Sequence, residues 1–154
     1  MLPGQKDLLC AFNAEGVEYL VVGGHAVNMH GIPRLTKDLE VFIRGSVANA
    51  ERVFRALVQF GAPLQGYSSA DFTGHGDDVF QIGVEPDRID ILQAIEGVDF
   101  ETAWQRREIF KLDEGVSASF LSLDDVVANK LLVGRPQDLA DVDRLTKMKK
   151  IGLK

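Results

Sequence analysis

The sequence is poor in the features that mark disulfide-bonded, membrane-spanning and secreted proteins. Its single cysteine, Cys10, excludes a disulfide within the chain, and a reducing compartment is the simplest expectation. No signal peptide is visible at the start, and the longest apolar stretches, such as Tyr19–Val22, are far too short to span a bilayer. We therefore expect a cytoplasmic protein with no membrane partner.

Positive charge is also scarce, because 17 Lys and Arg stand against 23 Asp and Glu, which gives a net charge of -6. General binding to nucleic acid requires clustered Lys and Arg and is therefore disfavoured. Lysines do gather near the C-terminus, at Lys147, Lys149, Lys150 and Lys154. Such a run is typical of a solvated helix end, and the overall charge leaves room for a local basic patch.

A length of 154 residues with 45% hydrophobic residues suits one domain with a core of its own. Apolar residues at helical spacing alternate with short β-rich runs that are bounded by glycine, proline and serine. This pattern predicts helices over 5–15, 25–30, 47–60, 100–107, 122–133 and 136–149. It predicts strands over 17–22, 39–43, 79–84, 88–92, 109–112 and 116–120, with a loop over 63–78.

The order of these elements indicates the fold class. Strands and helices alternate in the first part of the chain, and helices dominate the second part. We expect an α/β (α+β) fold in a single domain over residues 1–154, with an α/β core in 1–95 and a mainly helical C-terminal part in 96–154.

The first candidate site lies on the predicted strand 39–43. Because side chains alternate across a strand, Asp38, Glu40 and Phe42 share one face, and the aliphatic residues face the other way. Adjacent carboxylates repel each other and resist burial, and a cation would relieve that repulsion. Magnesium prefers hard oxygen ligands and commonly keeps phosphates and waters as well. The alternative is an ordinary solvated sheet face, which is the usual place for acids.

Asp90 repeats this pattern on the predicted strand 88–92, where two isoleucines flank it and face the other way. If the two strands are neighbours, Asp90 joins Asp38 and Glu40. Three carboxylates at one place could hold two metal ions. One ion would bind a triphosphate, and the other would activate an acceptor hydroxyl for in-line displacement at the α-phosphorus.

A glycine pair, Gly23 and Gly24, stands where a predicted strand passes into a helix. Glycine lets backbone N–H groups approach an anion closely, and a helix N-terminus favours phosphate. Alone, such a pair is usually only a turn. Here 13 residues separate Gly24 from Asp38, and the Asp-x-Glu pattern follows. Strand, Gly-Gly, short helix, loop and acids on the next strand together resemble the DNA polymerase β-like nucleotidyltransferase superfamily.

The resemblance implies a nucleotidyltransferase fold, in which a mixed twisted sheet with flanking helices carries the acids at one edge. It implies Asp38, Glu40 and Asp90 as catalytic metal ligands, with Mg²⁺, two ions in the usual arrangement, and a nucleoside triphosphate (NTP) as substrate. Glu40 stands where many active members of the superfamily carry Asp. Both residue types occur there, and the longer side chain can shift the metal geometry.

The stretch from Leu20 to Glu40 is similar to the small bacterial branch that includes the AbiEii-type abortive-infection toxins. Near the C-terminus, Lys-Leu-Leu-Val-Gly-Arg-Pro-Gln-Asp-Leu-Ala-Asp over 130–141 resembles the helical motif of that branch. Many toxins of this type carry a larger C-terminal part. The resemblance implies that the following residues surround the nucleotide: Gly23, Gly24, His25, Arg34, Thr36, Lys130, Arg135 and Asp138.

Lys130 also stands out on physical grounds. The apolar residues of the predicted helix 122–133 follow helical spacing, and Lys130 falls on their stripe, so that it faces the body of the protein. A buried lysine is costly unless it is paired. Either a triphosphate oxygen satisfies it, or it pairs with Asp138 or Asp141, which share one helical face. Arg34 and Arg135 could grip phosphate through two nitrogens each, and plain surface exposure is the alternative for both.

These observations favour an enzyme that moves a nucleoside monophosphate from an NTP to an acceptor hydroxyl. The AbiEii-like pattern implies RNA such as a tRNA end as acceptor, in a toxin–antitoxin or phage-defence setting with an antitoxin partner. A protein or a small molecule such as an antibiotic is the alternative acceptor, and the acidic charge weakens the case for RNA. The rival from another class is a non-catalytic nucleotide-binding module, for which Glu40 is the main argument.

Overall fold

A six-stranded mixed sheet with helices around it forms the fold. The structure, a computed structural model, describes residues 1–74, 78–84, 87–113 and 115–150. In chain order the strands are β1 (Tyr19–Val22), β2 (Leu39–Ile43), β3 (Val79–Ile82), β4 (Ile89–Leu92), β5 (Glu108–Asp113) and β6 (Val116–Phe120). The helices are α1 (Pro3–Glu15), α2 (Gly23–Met29), α3 (Val47–Phe60), α4 (Phe100–Gln105), α5 (Leu123–Val133) and α6 (Pro136–Lys150), and a 3₁₀ turn spans Ser69–Phe72.

Helix ends lie where the capping residues predict them. Ser46 accepts a hydrogen bond from the backbone N–H of Asn49, and Gly61 ends α3 in the left-handed conformation. Ser122 accepts from the backbone N–H of Asp125 in the same way, and Gly134 ends α5. The predicted boundaries of these two helices are therefore confirmed.

Two elements differ from their predicted bounds. β1 begins at Tyr19 rather than at residue 17, because the two preceding backbone N–H groups bond elsewhere. Val17 N–H donates to the carbonyl of Phe12 at the end of α1, and Glu18 N–H donates to Oδ1 of Asn49. α2 begins at Gly23 rather than at residue 25, so both glycines lie inside its first turn. Parts of the predicted loop 63–78, of the turn before residue 88 and of the β5–β6 turn lie outside the described residues, as does Lys154.

The strands lie in the order β3-β4-β2-β1-β6-β5. β1 pairs antiparallel with β2 and parallel with β6, whereas β2 and β4 run parallel with Glu40 opposite Asp90. The hairpin of β5 and β6 belongs to the same sheet, so the sheet continues across residue 95 into the C-terminal part. The mixed α/β fold predicted from the sequence is confirmed.

One apolar cluster holds the sheet and helices together. Leu39, Val41 and Ile43 of β2 are fully buried in it, together with Leu8 and Phe12 of α1. The face of β2 opposite these aliphatic residues carries the acids. Within the described part of the chain, every helix is too short or too polar to cross a membrane.

Candidate active site

The three predicted acids lie on one face of the sheet, on neighbouring parallel strands. Asp38 directly precedes β2, Glu40 lies within it, and Asp90 lies on β4. Parallel pairing places Glu40 directly opposite Asp90, as the matching strand patterns predict. Asp90 is buried and Glu40 is half-buried, so their charges are only partly solvated.

Arg88 is a fourth charged residue of this cluster. Its Nη2 atom lies 3.2 Å from Oδ2 of Asp38 and 3.3 Å from Oδ2 of Asp90. Its Nε atom donates to Oδ1 of Asp90 at 2.9 Å. The guanidinium therefore holds both oxygens of Asp90 and links that carboxylate to Asp38.

The surroundings of Glu40 disfavour its charged form. Burial raises the pKa of Glu40 above its usual range, and the charges of Asp90 and Asp38 raise it further. Arg135 and Arg88 act in the opposite direction without reversing the shift. With three carboxylates and one guanidinium, the cluster itself is thus short of positive charge.

The residues of this cluster suit a hard divalent cation, although its side chains are not yet arranged around one. Within the described ranges, no three His, Cys, Asp or Glu side chains stand close enough together to form a metal-binding group. However, Oδ1 of Asp38 is buried and accepts no hydrogen bond from the residues that the structure describes, which is costly for a carboxylate oxygen. Carboxylate oxygens are the ligands that Mg²⁺ prefers. Asp38, Glu40 and Asp90 are the residues that would hold it.

The glycine pair packs directly against the acids. Gly23 has φ 66°, and a methyl group at its Cα would overlap the carboxylate of Glu40. A methyl group on Gly24 would lie 2.9 Å from Cγ2 of Thr36. These two contacts explain why glycine occupies both positions. Because α2 has only seven residues, its dipole adds little to anion binding, and the open backbone matters more.

A cavity of about 500 Å³ opens beside Glu40. It lies between the start of α2, the end of β4, and helices α5 and α6. Seven of the predicted site residues line it, namely Gly23, Gly24, Arg34, Glu40, Lys130, Arg135 and Asp138. The volume lies in the range typical of small-molecule sites.

Three cations and two carboxylates form a network along this cavity. Nζ of Lys130 lies 2.8 Å from Oδ2 of Asp141 and 3.3 Å from Oδ1 of Asp138. Arg34 pairs with the other oxygen of Asp141. Nε of Arg135 donates to Asp138 at 2.7 Å. Three positive and two negative charges leave a net positive charge beside Glu40.

Both carboxylates of the network are kept ionised by their partners. Hydrogen bonding from Arg135, together with Lys130, lowers the pKa of Asp138 to about 2. Burial acts to raise the pKa of Asp141, but hydrogen bonds from Lys130 and Arg34 hold it below its usual range. The two acids therefore fix three cationic side chains at the wall of the cavity.

Comparison with known proteins shows the family of the chain. The model of the family described as "Nucleotidyltransferase of unknown function (DUF6036)" matches residues 7–154. The chain belongs to this nucleotidyltransferase family. A crystal structure of a Thermotoga maritima protein described as a "putative nucleotidyltransferase" is similar over 93% of this chain and 90% of that chain, with a TM-score of 0.59 and 14% sequence identity. At that identity the similarity concerns the fold alone. No curated protein has a sequence that matches the chain significantly.

Lys130 has the acidic partners that the structural interpretation predicts, and it lies at the cavity wall. In this nucleotidyltransferase its partners are Asp138 and Asp141. Its side chain is only 12% exposed, so its ammonium group depends on these partners. A negatively charged ligand in the cavity would find this ammonium already held in place.

His25 and Thr36 lie outside the main cavity. His25 is buried and borders a second cavity of about 300 Å³, with Met29 and Phe120 among its neighbours. Burial lowers the pKa of His25 to about 4, so its ring is neutral at pH 7. Thr36 contacts Gly24, and its hydroxyl is buried without a hydrogen-bond partner in the described structure. Thr36 therefore packs beside the glycine turn, and His25 faces the second cavity.

The sequence patterns missed the role of Arg88. A signal for it was present, because Arg88 precedes Asp90 by two residues and alternation places both side chains on the same strand face. The sequence offered Asp141 as a partner of Lys130, and the structure shows that Asp141 also pairs with Arg34, which the sequence patterns missed.

Gly23→Ala is expected to destabilise the nucleotidyltransferase by more than 1 kcal/mol and to displace Glu40. Alanine is disfavoured at positive φ by about 1–2 kcal/mol, and here its methyl group also meets a carboxylate. Gly16→Ala is the matched control, since Gly16 has φ 70° and nothing within 4 Å of an added methyl group. Urea unfolding measures the loss of unfolding free energy in each variant. The loss in Gly23→Ala minus the loss in Gly16→Ala gives the cost of the contact between the added methyl group and Glu40. Equal losses for the two variants would show that Glu40 does not press against Gly23.

Proposed function

We propose that this nucleotidyltransferase binds an NTP in the main cavity and transfers the nucleoside monophosphate to an acceptor hydroxyl in a Mg²⁺-dependent reaction. The observation that carries the proposal is the cavity itself. Along one cavity it combines Glu40 and the glycine pair with Arg34, Lys130 and Arg135.

The cations are suited to the triphosphate. An arginine can bind two phosphate oxygens at once, and a lysine acts as a point charge. Arg34, Lys130 and Arg135 are already held by Asp138 and Asp141, so little side-chain entropy is lost when phosphate binds. The exposed backbone at Gly23 and Gly24 leaves room for an oxygen to approach.

Asp38, Glu40 and Asp90 would hold Mg²⁺ between the sheet and the phosphates. When bound, Mg²⁺ supplies neutralisation of the phosphate charge and activation of the acceptor hydroxyl. The three carboxylates set the position of that charge, and Glu40 borders the cavity directly. The raised pKa of Glu40 supports this assignment, because the charged form of Glu40 gains most when a cation arrives.

Three kinds of acceptor are candidates: RNA, a protein and a small molecule. The resemblance to AbiEii-type toxins favours RNA such as a tRNA end, in a toxin–antitoxin or phage-defence setting. The net charge of -6 favours a protein or a small molecule instead. A labelling experiment separates these acceptors. The protein is incubated with each α-³²P-labelled NTP, Mg²⁺ and a cell extract, and the labelled product is then treated with nuclease or protease.

Magnesium-dependent nucleotide binding is the first expected result. An NTP that binds only the folded state stabilises it by about 2.7 kcal/mol at 100 times its Kd. We therefore expect a rise in the melting temperature with at least one of ATP, GTP, CTP and UTP in the presence of Mg²⁺. EDTA should abolish most of this rise.

The melts and the labelling experiment together separate the enzyme from a non-catalytic module. A module would bind nucleotide without transferring label to any acceptor. A melting temperature that ignores all four nucleotides, with and without Mg²⁺, would contradict both interpretations.

A further inference from the structure

Arg88 occupies the place in the acid cluster where a divalent cation has to bind. Its guanidinium contacts both oxygens of Asp90, at 2.9 and 3.3 Å, and one oxygen of Asp38 at 3.2 Å. A carboxylate that accepts hydrogen bonds from arginine with both oxygens has less capacity left for a metal ion. Of the three acids, Asp90 is the one whose two oxygens are both engaged by Arg88.

The oxygens that Arg88 leaves open form an incomplete site. Oδ1 of Asp38 is buried and has no hydrogen-bond partner among the described residues, and Glu40 lies next to the main cavity. Glu40 and one oxygen of Asp38 supply fewer ligands than Mg²⁺ usually takes, so other oxygens have to complete its shell. A cation that arrives alone would therefore meet a half-formed site and a competing positive charge.

We propose that Arg88 is an internal counter-ion of the acid cluster, which leaves Asp90 when the triphosphate and the metal bind together. This inference rests on the proposed function. Arg88 lies one residue before β4, and its carbonyl accepts a hydrogen bond from the backbone N–H of Leu39 at 2.9 Å, so the main chain stays fixed while the side chain turns. The side chain is 28% exposed, which leaves it room to move.

The charges account for the coupling between metal and nucleotide. Asp38, Glu40 and Asp90 carry three negative charges, and Arg88 neutralises one of them in the free protein. A triphosphate brings negative charge that attracts the guanidinium, because arginine pairs with phosphate as readily as with carboxylate. Asp90 then becomes available to the metal. Arg88 is a positioning residue in this scheme, and it makes metal binding depend on the nucleotide.

Titration with MnCl₂ tests the inference without any turnover. Binding is measured by electron paramagnetic resonance of free Mn²⁺, first alone and then with α,β-methylene-ATP, which resists cleavage at the α-phosphorus. In the wild-type protein the analogue should tighten Mn²⁺ binding strongly. In Arg88→Gln, Mn²⁺ alone should bind about tenfold more tightly than to wild type, which corresponds to about 1.4 kcal/mol. The additional effect of the analogue should shrink accordingly.

Two further variants separate this role from a structural one. Arg88→Lys keeps the charge but loses the two-nitrogen grip on Asp90, so an intermediate Mn²⁺ affinity is expected. It also serves where Arg88→Gln folds poorly. Arg55→Gln is the control, since Arg55 pairs with Glu15 through Nε at 3.1 Å on another part of the surface. It should leave Mn²⁺ binding unchanged.

The outcomes distinguish the inference from the proposed function. Mn²⁺ binding that is equal in wild type, Arg88→Gln and Arg88→Lys overturns the role of Arg88 and leaves the metal site intact. Weaker Mn²⁺ binding in Arg88→Gln also overturns it, because Arg88 would then support the metal site. Absence of Mn²⁺ binding in every variant, with and without the analogue, overturns the metal-dependent reaction and the inference with it.

Discussion

Glu40→Gln is expected to lower the rate of nucleotidyl transfer by at least about 100-fold while making the folded protein more stable. Loss of one preorganised charged group at a reacting phosphate costs a factor on the order of 10²–10³. The stability moves the other way, because Glu40 is half-buried and the charges of Asp90 and Asp38 repel it. Glutamine keeps the shape and removes that repulsion. Transfer of labelled nucleotide and urea unfolding measure the two effects.

The pH dependence of stability gives a sharper test of the same residue. Because the pKa of Glu40 is raised in the folded state, the folded protein binds its proton more tightly than the unfolded chain does. Glu40 therefore costs no stability below the unfolded value of 4.5, and its cost grows as the pH rises from there through the folded pKa. The advantage of Glu40→Gln should be small at pH 4 and should increase as the pH is raised above 4.5.

Glu96→Gln is the matched control for both measurements. Glu96 lines the same cavity but is exposed, so its replacement should change transfer and stability little. A Glu40→Gln protein that keeps full activity would remove Glu40 from the metal site. A variant whose stability advantage is the same at every pH would show that Glu40 is ionised freely in the folded state.

Lys130→Met is the second change with a large expected effect, and it should affect both binding and stability. Methionine retains the apolar packing of the side-chain stem and removes the charge. NTP binding should weaken by about 1.5–3 kcal/mol if one charged hydrogen bond to phosphate is lost. The folded state should also lose roughly 1–3 kcal/mol. This loss is less than that for an isolated buried pair, because Asp138 keeps Arg135 and Asp141 keeps Arg34.

Calorimetric titration with Mg²⁺ and the nucleotide that binds best, together with urea unfolding, measures these two losses. Lys149→Met provides the control, since Lys149 makes a single exposed pair with Asp124 and should contribute well under 1 kcal/mol. Unchanged nucleotide affinity in Lys130→Met, with stability lowered, would assign Lys130 to the helix network alone.

Most of the fold could be predicted from local signals in the sequence. Helices begin at the N-caps Ser46 and Ser122 and end at Gly61 and Gly134. Each of these residues acts through contacts with residues three or four positions away, so the local sequence is enough to place the helix ends. The start of β1 was missed because it depends on Asn49, which lies 31 residues from Glu18. The placement of β6 beside β1 has no local signal either, since it depends on pairing between Val21 and Phe120.

In the candidate site, too, the features set by local patterns were predicted and those set by distant contacts were not. Alternation along β2 and β4 predicted the common face of Asp38, Glu40 and Asp90, and the helical stripe predicted that Lys130 faces inward. Alternation cannot say which partner a side chain chooses. Arg88 pairs with Asp38, just before β2, and with Asp90 on β4. His25 borders the second cavity, whereas Gly24 lines the main one. These contacts depend on how several elements pack against one another, and the alternation along a single strand does not predict that packing.

The pairing of β1 with β6 has a consequence for the time at which the protein becomes active. As the chain is synthesised, the acids and glycines emerge early, within the first 90 residues, and can form their part of the sheet. Lys130, Arg135 and Asp138 can take their places beside the acids only after β6 has paired with β1, which closes a loop of about 100 residues between Val21 and Phe120. Closing a contact over such a distance is slow compared with forming helices and hairpins. A chain that is released from the ribosome before residue 130 would therefore carry the acids, the glycine pair and Arg34 without Lys130 and Arg135. Nucleotide binding should then report that synthesis has passed that point.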